Sequence, residues 1–295
     1  MKIINIIFVV TLLFLFSCDY SNVEENNLNQ GIDQDIEDTT HTKKVSKIFY
    51  NVPPPFEMTK LIQESGAEYI EDILNSPENQ FKYLTTADAA INLGIYGADL
   101  SYTRMFDQIQ KSISYLSSLK TLSDELGIPN DEGSMAVNRL EENMANKDSI
   151  LQIITDTYAN ADAYLKESDR GNTAALVILG GWVEALYIAT SIAENTENEM
   201  IIKRVAEQKY SLNNLIELLK FYKEDKTIAY YTPKLLELRN SFDKITITYK
   251  KGEVITNKET KMTIIDSKVD VIVNIEQIKE IHGIIFNLRN EMINL

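Results

Sequence analysis

Cysteine, histidine and tryptophan are scarce in this chain: 295 residues hold one Cys, two His and one Trp. With Cys18 alone, no internal disulfide can form and no further thiol is left for catalysis. His41 and His282 cannot build a Cys/His zinc set, and neither a Ser-His-Asp nor a Cys-His arrangement can be assembled around them. His282 reads as an isolated helix-surface residue, and no metal or cofactor is expected. Basic residues are few as well, with 29 Lys and Arg against 44 Asp and Glu for a formal net charge of -15. That balance excludes a nucleic-acid binder and a body lying flat on an anionic leaflet, both of which favour basic faces. Carboxylates are so plentiful that their spacing carries no specificity. A carboxylate-dependent enzyme therefore has no support in the pattern, and the expectation is a non-catalytic protein.

The N-terminus is informative. Met1-Lys2 precedes an uncharged, mostly apolar run from Ile3 to Phe16, and then Ser17-Cys18. A spanning helix needs about 20 apolar residues, so this shorter run is a signal peptide rather than a span. Cys18, directly after its end, is placed for lipidation. One acyl chain holds a protein only marginally and two or more hold it stably, so a lipidated mature chain is anchored without crossing the bilayer. From Asp19 to Thr42 there are acidic residues and no Lys or Arg, in a setting rich in Asn, Gln and Thr, as in a disordered tether. The expected organisation is 1–17 signal peptide, 18–46 lipidated acidic tether and 47–295 a single helical domain, with Pro53-Pro54-Pro55 at the boundary.

Periodicity in the body is that of helices. The pattern predicts a short helix from Phe56 to Ser65 stopping at Gly66, and another turn or two over Tyr69 to Leu74. Thr85 to Asp88 forms a capping box that opens a helix. A seven-turn helix is predicted from Asp99 to Leu126, closed by Gly127 and Pro129. Further helices are expected over Met135–Asn143, Ile150–Leu165, Ala174–Ala193 and Ile201–Tyr222, over Pro233 to about Lys244, and from about Val269 to Ile293. Ile245 to Tyr249, a turn at Lys250-Lys251-Gly252 and Glu253 to Ile255 read as a β-hairpin. The fold class expected is all-α, a multi-helix bundle with a small C-terminal β-hairpin excursion.

Two segments carry the candidate site. Ala174 to Ala193 has the length of a membrane span, yet Glu184 sits near its middle, where a carboxylate costs about 2.5 kcal/mol or more in lipid. A central helix packed on all sides explains it better, with Gly180-Gly181 allowing a neighbour to approach closely. The second segment, Asn92 to Arg104, places Gly94 and Gly97 beside Asp99, Tyr102 and Arg104, and makes Arg104 a candidate partner for Glu184 or Asp99. The candidate ligand-binding residues are Tyr96, Asp99, Arg104, Trp182, Glu184 and Tyr187.

The Cys18 lipobox, the acidic tether and the segments Asn92–Phe106 and Asn172–Thr190 together resemble uncharacterised helical lipoproteins of Bacteroidota. The resemblance implies an outer-membrane lipid anchor with a periplasm-facing or cell-surface body. It implies no reaction, ligand or catalytic residue. The expected function is a membrane-anchored envelope lipoprotein with a helical binding or structural domain, its partners being the membrane and an envelope protein. The alternative is a small-molecule sensing module with a pocket around Trp182 and Glu184.

Overall fold

In a computed structural model of the chain, the residues described are 55–129, 167–250, 254–257, 262–265 and 268–294, with isolated positions from 139 to 164. They belong to one compact unit, Val45–Leu295. The expected signal peptide, Cys18 and the expected tether lie outside the described residues, as does most of each helix expected over Met135–Asn143 and Ile150–Leu165.

Seven α-helices and two antiparallel strand pairs occur among the described residues: α1 Pro55–Glu64, α2 Thr86–Met105, α3 Ile109–Glu125, α4 Gly171–Thr196, α5 Glu199–Phe221, α6 Lys226–Asp243 and α7 Ile275–Ile293, with β1 Thr246–Lys250, β2 Val254–Asn257, β3 Met262–Ile265 and β4 Lys268–Ile272 between α6 and α7. A 3₁₀ turn, Pro77–Lys82, precedes α2. The chain is thus an all-α bundle with a small strand excursion near its C-terminus.

The bundle is built around α2 and α4, which pack along most of their lengths. Every residue of α2 from Ala89 to Met105 is buried. In α4 the same holds from Thr173 to Ala193 except at Ile178. Helices α1, α3, α5 and α7 enclose this pair. Helix α4 is long and apolar enough to cross a membrane by composition, but 89% of its apolar window is buried inside the fold. The all-round apolar pattern is that of a core helix, for which protein takes the place of lipid.

Glycine sets how closely α2 and α4 approach. A Cβ added at Gly94 would lie 2.0 Å from the Val177 carbonyl oxygen, and one at Gly180 would lie 1.9 Å from that of Ile91. The two backbones touch where both helices lack a side chain, which offsets the roughly 1 kcal/mol of helix propensity that each glycine forfeits.

Local signals placed several boundaries correctly. Asp88 N–H donates to Thr85 Oγ1 at 3.1 Å as an N-cap should. Gly66 and Gly127 both take positive φ just past their helices. Four expectations need correction. The long helix expected from Asp99 to Leu126 is two helices. Asp107 adopts φ 58° and Gln108 N–H reverts to the Thr103 carbonyl at 2.8 Å, which ends α2 and leaves Ile109 and Ile113 outward. Tyr69 to Leu74 holds a single turn, Leu74 N–H donating to the Glu71 carbonyl at 3.1 Å, and no helix; a 3₁₀ turn follows at Pro77, whose fixed φ suits a first helical position. Helix α6 starts at Lys226 rather than Pro233, because Asp225 caps it by accepting from Thr227 and Ile228 N–H. Pro233 then lies inside the helix.

The fourth correction is the hairpin. β1 and β2 are not each other's partners: β1 pairs with β4, Ile247 opposite Val271, and β2 pairs with β3, Ile255 opposite Ile264. The nested pairing reflects a second alternating run, Lys268–Val273, which turns Val271 and Val273 toward the core and Asp270 and Ile272 outward. Helix α7 therefore begins at Ile275 and not near Val269. Its true start is a capping box in which Asn274 and Gln277 exchange side-chain and backbone hydrogen bonds.

Candidate functional site

The polar residues singled out in α2 and α4 meet a residue of α7 in the core. On α2, Asn92, Tyr96 and Asp99 lie at four- and three-residue spacing and share one face. On α4, Glu184 and Tyr187 are likewise three residues apart. The third element is Arg289 of α7, 5% exposed, whose Nε and Nη2 each donate at 2.9 Å to one oxygen of the fully buried Glu184. Arg289 Nη2 also donates to the Ile73 carbonyl at 3.2 Å. A bidentate, charge-assisted pair of this kind fixes orientation as well as distance. Burial works against the charge of Arg289, but Glu184 more than offsets it and raises the guanidinium above its ordinary value.

Asp99 is the odd member. It is fully buried, and among the described residues no hydrogen bond of ordinary geometry reaches either of its oxygens. Burial, followed by the neighbouring Glu184 carboxylate, pushes its carboxyl well above the usual carboxylate range. Arg289 and the Asn75 backbone act in the opposite sense.

Around this centre the side chains satisfy one another. Asn92 Nδ2 donates to the Met292 carbonyl at 2.9 Å and Tyr83 Oη to that of Ile293 at 3.3 Å. Two orphan carbonyls at the C-terminus of α7 are thereby satisfied by side chains. Asn75 Nδ2 donates to Tyr83 Oη, while Tyr115 Oη donates to the Asn75 carbonyl and Tyr96 Oη to that of Ser76. Burial raises the Tyr83, Tyr96 and Tyr115 phenols, so all three are neutral hydrogen-bonding groups.

From Arg289 the polar seam runs outward. Its guanidinium lies 4.8 Å from the centre of the Tyr187 ring, and His282 stacks on the same ring at 5.6 Å and 17°. His282 Nδ1 is 3.0 Å from Thr190 Oγ1, and Nε2 is 3.5 Å from Glu194 Oε2. Burial lowers the imidazole, with Glu194 opposing. Thr190, His282 and Glu194 have the residue types of a nucleophile, a base and an acid. Thr190, however, is fully buried and its hydroxyl is shared with the Leu186 and Tyr187 carbonyls, so a substrate has no approach to that oxygen.

Of the six candidate residues, Tyr96, Asp99, Glu184 and Tyr187 belong to this seam. Trp182 and Arg104 do not. Trp182 precedes Glu184 by two positions and so lies about 200° round α4; its Nε1 is buried without a hydrogen-bond partner among the described residues. Arg104 is buried about 140° round α2 from Asp99, and the guanidinium that Glu184 receives is Arg289's. His282, expected at an open surface, is half-buried against α4. Sequence reasoning missed Arg289, Asn75, Asn92 and Tyr83. For Arg289 a signal existed: it follows Ile281 and Ile285 at four-residue steps and so places a charge on the apolar stripe of α7. Among the described residues no group of three or more Cys, His, Asp or Glu side chains converges on a metal position. Compared with known proteins, the chain matches no protein-family model, no curated protein and no solved structure.

Proposed function

We propose that this chain is an envelope lipoprotein, held at the outer membrane through acylated Cys18, with a non-catalytic helical body that binds an envelope protein or supports an assembly. Support for the anchor is the apolar run ending at Ser17-Cys18. The reading of the body is carried by one observation: at its centre both oxygens of the buried Glu184 are taken by Arg289. The pocket reading around Trp182 and Glu184 needs the Glu184 carboxylate to face a ligand, and both of its oxygens are engaged by Arg289 in the core.

Two measurements test the proposal. The wild-type chain, expressed in a lipoprotein-processing bacterium with a clickable palmitate analogue, takes up label and sediments with membranes, and Cys18→Ser does neither. Unlabelled wild-type protein overturns the anchor. A thermal-shift screen of the mature chain against envelope metabolites and glycans, read with Trp182 fluorescence, leaves the melting temperature unmoved. A ligand that raises it and quenches Trp182 favours the small-molecule alternative.

A further inference from the structure

The junction of α2, α4 and α7 contains two carboxyls and one guanidinium in a place water does not reach: Asp99 and Glu184 are fully buried and Arg289 nearly so. Arg289 spends Nε and Nη2 on Glu184 and also bonds the Ile73 carbonyl, so it forms no hydrogen bond to Asp99. The charges acting on Asp99 are those of Glu184 on α4 and Arg289 on α7, with the Asn75 backbone adding a weaker favourable contact. The other titratable groups that feel it are phenols: Tyr96 on its own helix, Tyr115 on α3, Tyr187 on α4 and Tyr69 from the preceding loop. A phenol carries no positive charge, so none of them balances a second anion. An ionised carboxylate buried without its own counter-charge is so unfavourable that the group neutralises instead. A protonated Asp99 also gains a donor, and the acceptor beside it is the Glu184 carboxylate.

We propose that Asp99 is a proton-binding site built into the helix junction: folding takes up one proton there, and rising pH weakens the attachment of α2 to α4 and α7. The sign follows from linkage. A carboxyl that keeps its proton in the folded state, but loses it near pH 4 when unfolded, contributes its full stability only below about pH 4. Above that pH the folding constant falls by up to about tenfold per pH unit, until the folded protein also releases the proton.

The test uses the full chain. Infrared spectra of folded protein at neutral pH should contain the carbonyl stretch of a protonated carboxylic acid, absent from Asp99→Asn and lost from the wild type on unfolding in urea. Urea titrations between about pH 5 and 8 should show the wild-type folding constant falling relative to that of Asp99→Asn. No such band in the folded wild type, or one that persists in Asp99→Asn, overturns the proposal, as do parallel pH profiles. Should Asp99→Asn fail to fold, the wild-type band and its loss in urea still decide the matter.

Discussion

Replacing Gly180 by Ala sets two effects of opposite sign against each other at one position. Alanine raises intrinsic helix propensity by about 1 kcal/mol over glycine. Against this, the new Cβ would sit 1.9 Å from the Ile91 carbonyl oxygen and 2.8 Å from its carbon, where ordinary contact begins near 3.4 Å. The obstructing atoms are backbone, so no side chain can rotate away. Helices α2 and α4 must separate by more than 1 Å over the longest contact in the core, and a gap of 0.5–1 Å already forfeits a quarter to a half of each dispersion contact. Overpacking of this kind costs about 1–3 kcal/mol and occasionally more. With backbone as the obstacle, the upper end applies, and the net loss for Gly180→Ala is about 2 kcal/mol. Gly94→Ala, with its Cβ 2.0 Å from the Val177 carbonyl oxygen, should lose a similar amount. The double variant should lose less than the sum, because one separation of the helices admits both methyl groups. Gly283 is the control: it lies exposed within α7 with nothing within 4 Å of an added Cβ, so Gly283→Ala should gain about 0.5–1 kcal/mol. Urea unfolding followed by Trp182 fluorescence, two residues from Gly180, measures all four variants. A Gly180→Ala protein as stable as the parent, or stabilised like Gly283→Ala, would refute the close crossing.

Three further outcomes are expected. The folded state holds His282 below its ordinary value through burial, so the unfolded chain binds the proton first as pH falls. Stability from this group is full above about pH 6.5 and declines below it; His282→Gln should flatten that acid limb in urea titrations, and an unchanged limb would show that other groups cause it. Asp225→Ala removes the acceptor for the Thr227 and Ile228 amides and should destabilise by about 1 kcal/mol, whereas a neutral result in thermal unfolding would move the start of α6 back toward Pro233. Asn274→Ala should lose a comparable amount by breaking the capping box of α7, measured the same way, and no loss would place the start of that helix elsewhere.

What the sequence revealed and what it hid divide along chain separation. Thr85, Gly66 and Gly127 act within a turn of themselves, and their roles follow from their own backbone needs. Gly180 was legible as a close approach because glycine inside a helix is unfavourable unless something compensates, although nothing local says that the neighbour is α2 at Ile91. Asp107 hid the break between α2 and α3, since an aspartate tolerates left-handed backbone without advertising it, and the apolar spacing runs on through Phe106 and Ile109. The hairpin was misread for a related reason. Lys250-Lys251-Gly252 is good turn chemistry, while the competing pairing of β1 with β4 depends on residues some twenty positions away. The partner of Glu184 was farther still, 105 residues along the chain, so composition favoured the nearer Arg104. Burial of Glu184 could be inferred from its neighbours in α4; the identity of its counter-charge could not.

The central claim is that the buried polar groups lock α4 to α7 rather than await a ligand, and a double-mutant cycle on Glu184 and Arg289 tests it most directly. Removing one partner strands an unpaired buried charge, so Glu184→Leu and Arg289→Met should each lose about 3–5 kcal/mol. The double variant should recover most of that loss, because an apolar pair of similar size removes both charges together. Urea unfolding measured for all three should therefore give a strongly favourable coupling energy. Single variants close to wild type in stability, or losses that simply add, would contradict the account and reopen Glu184 and Arg289 as groups held ready for a ligand.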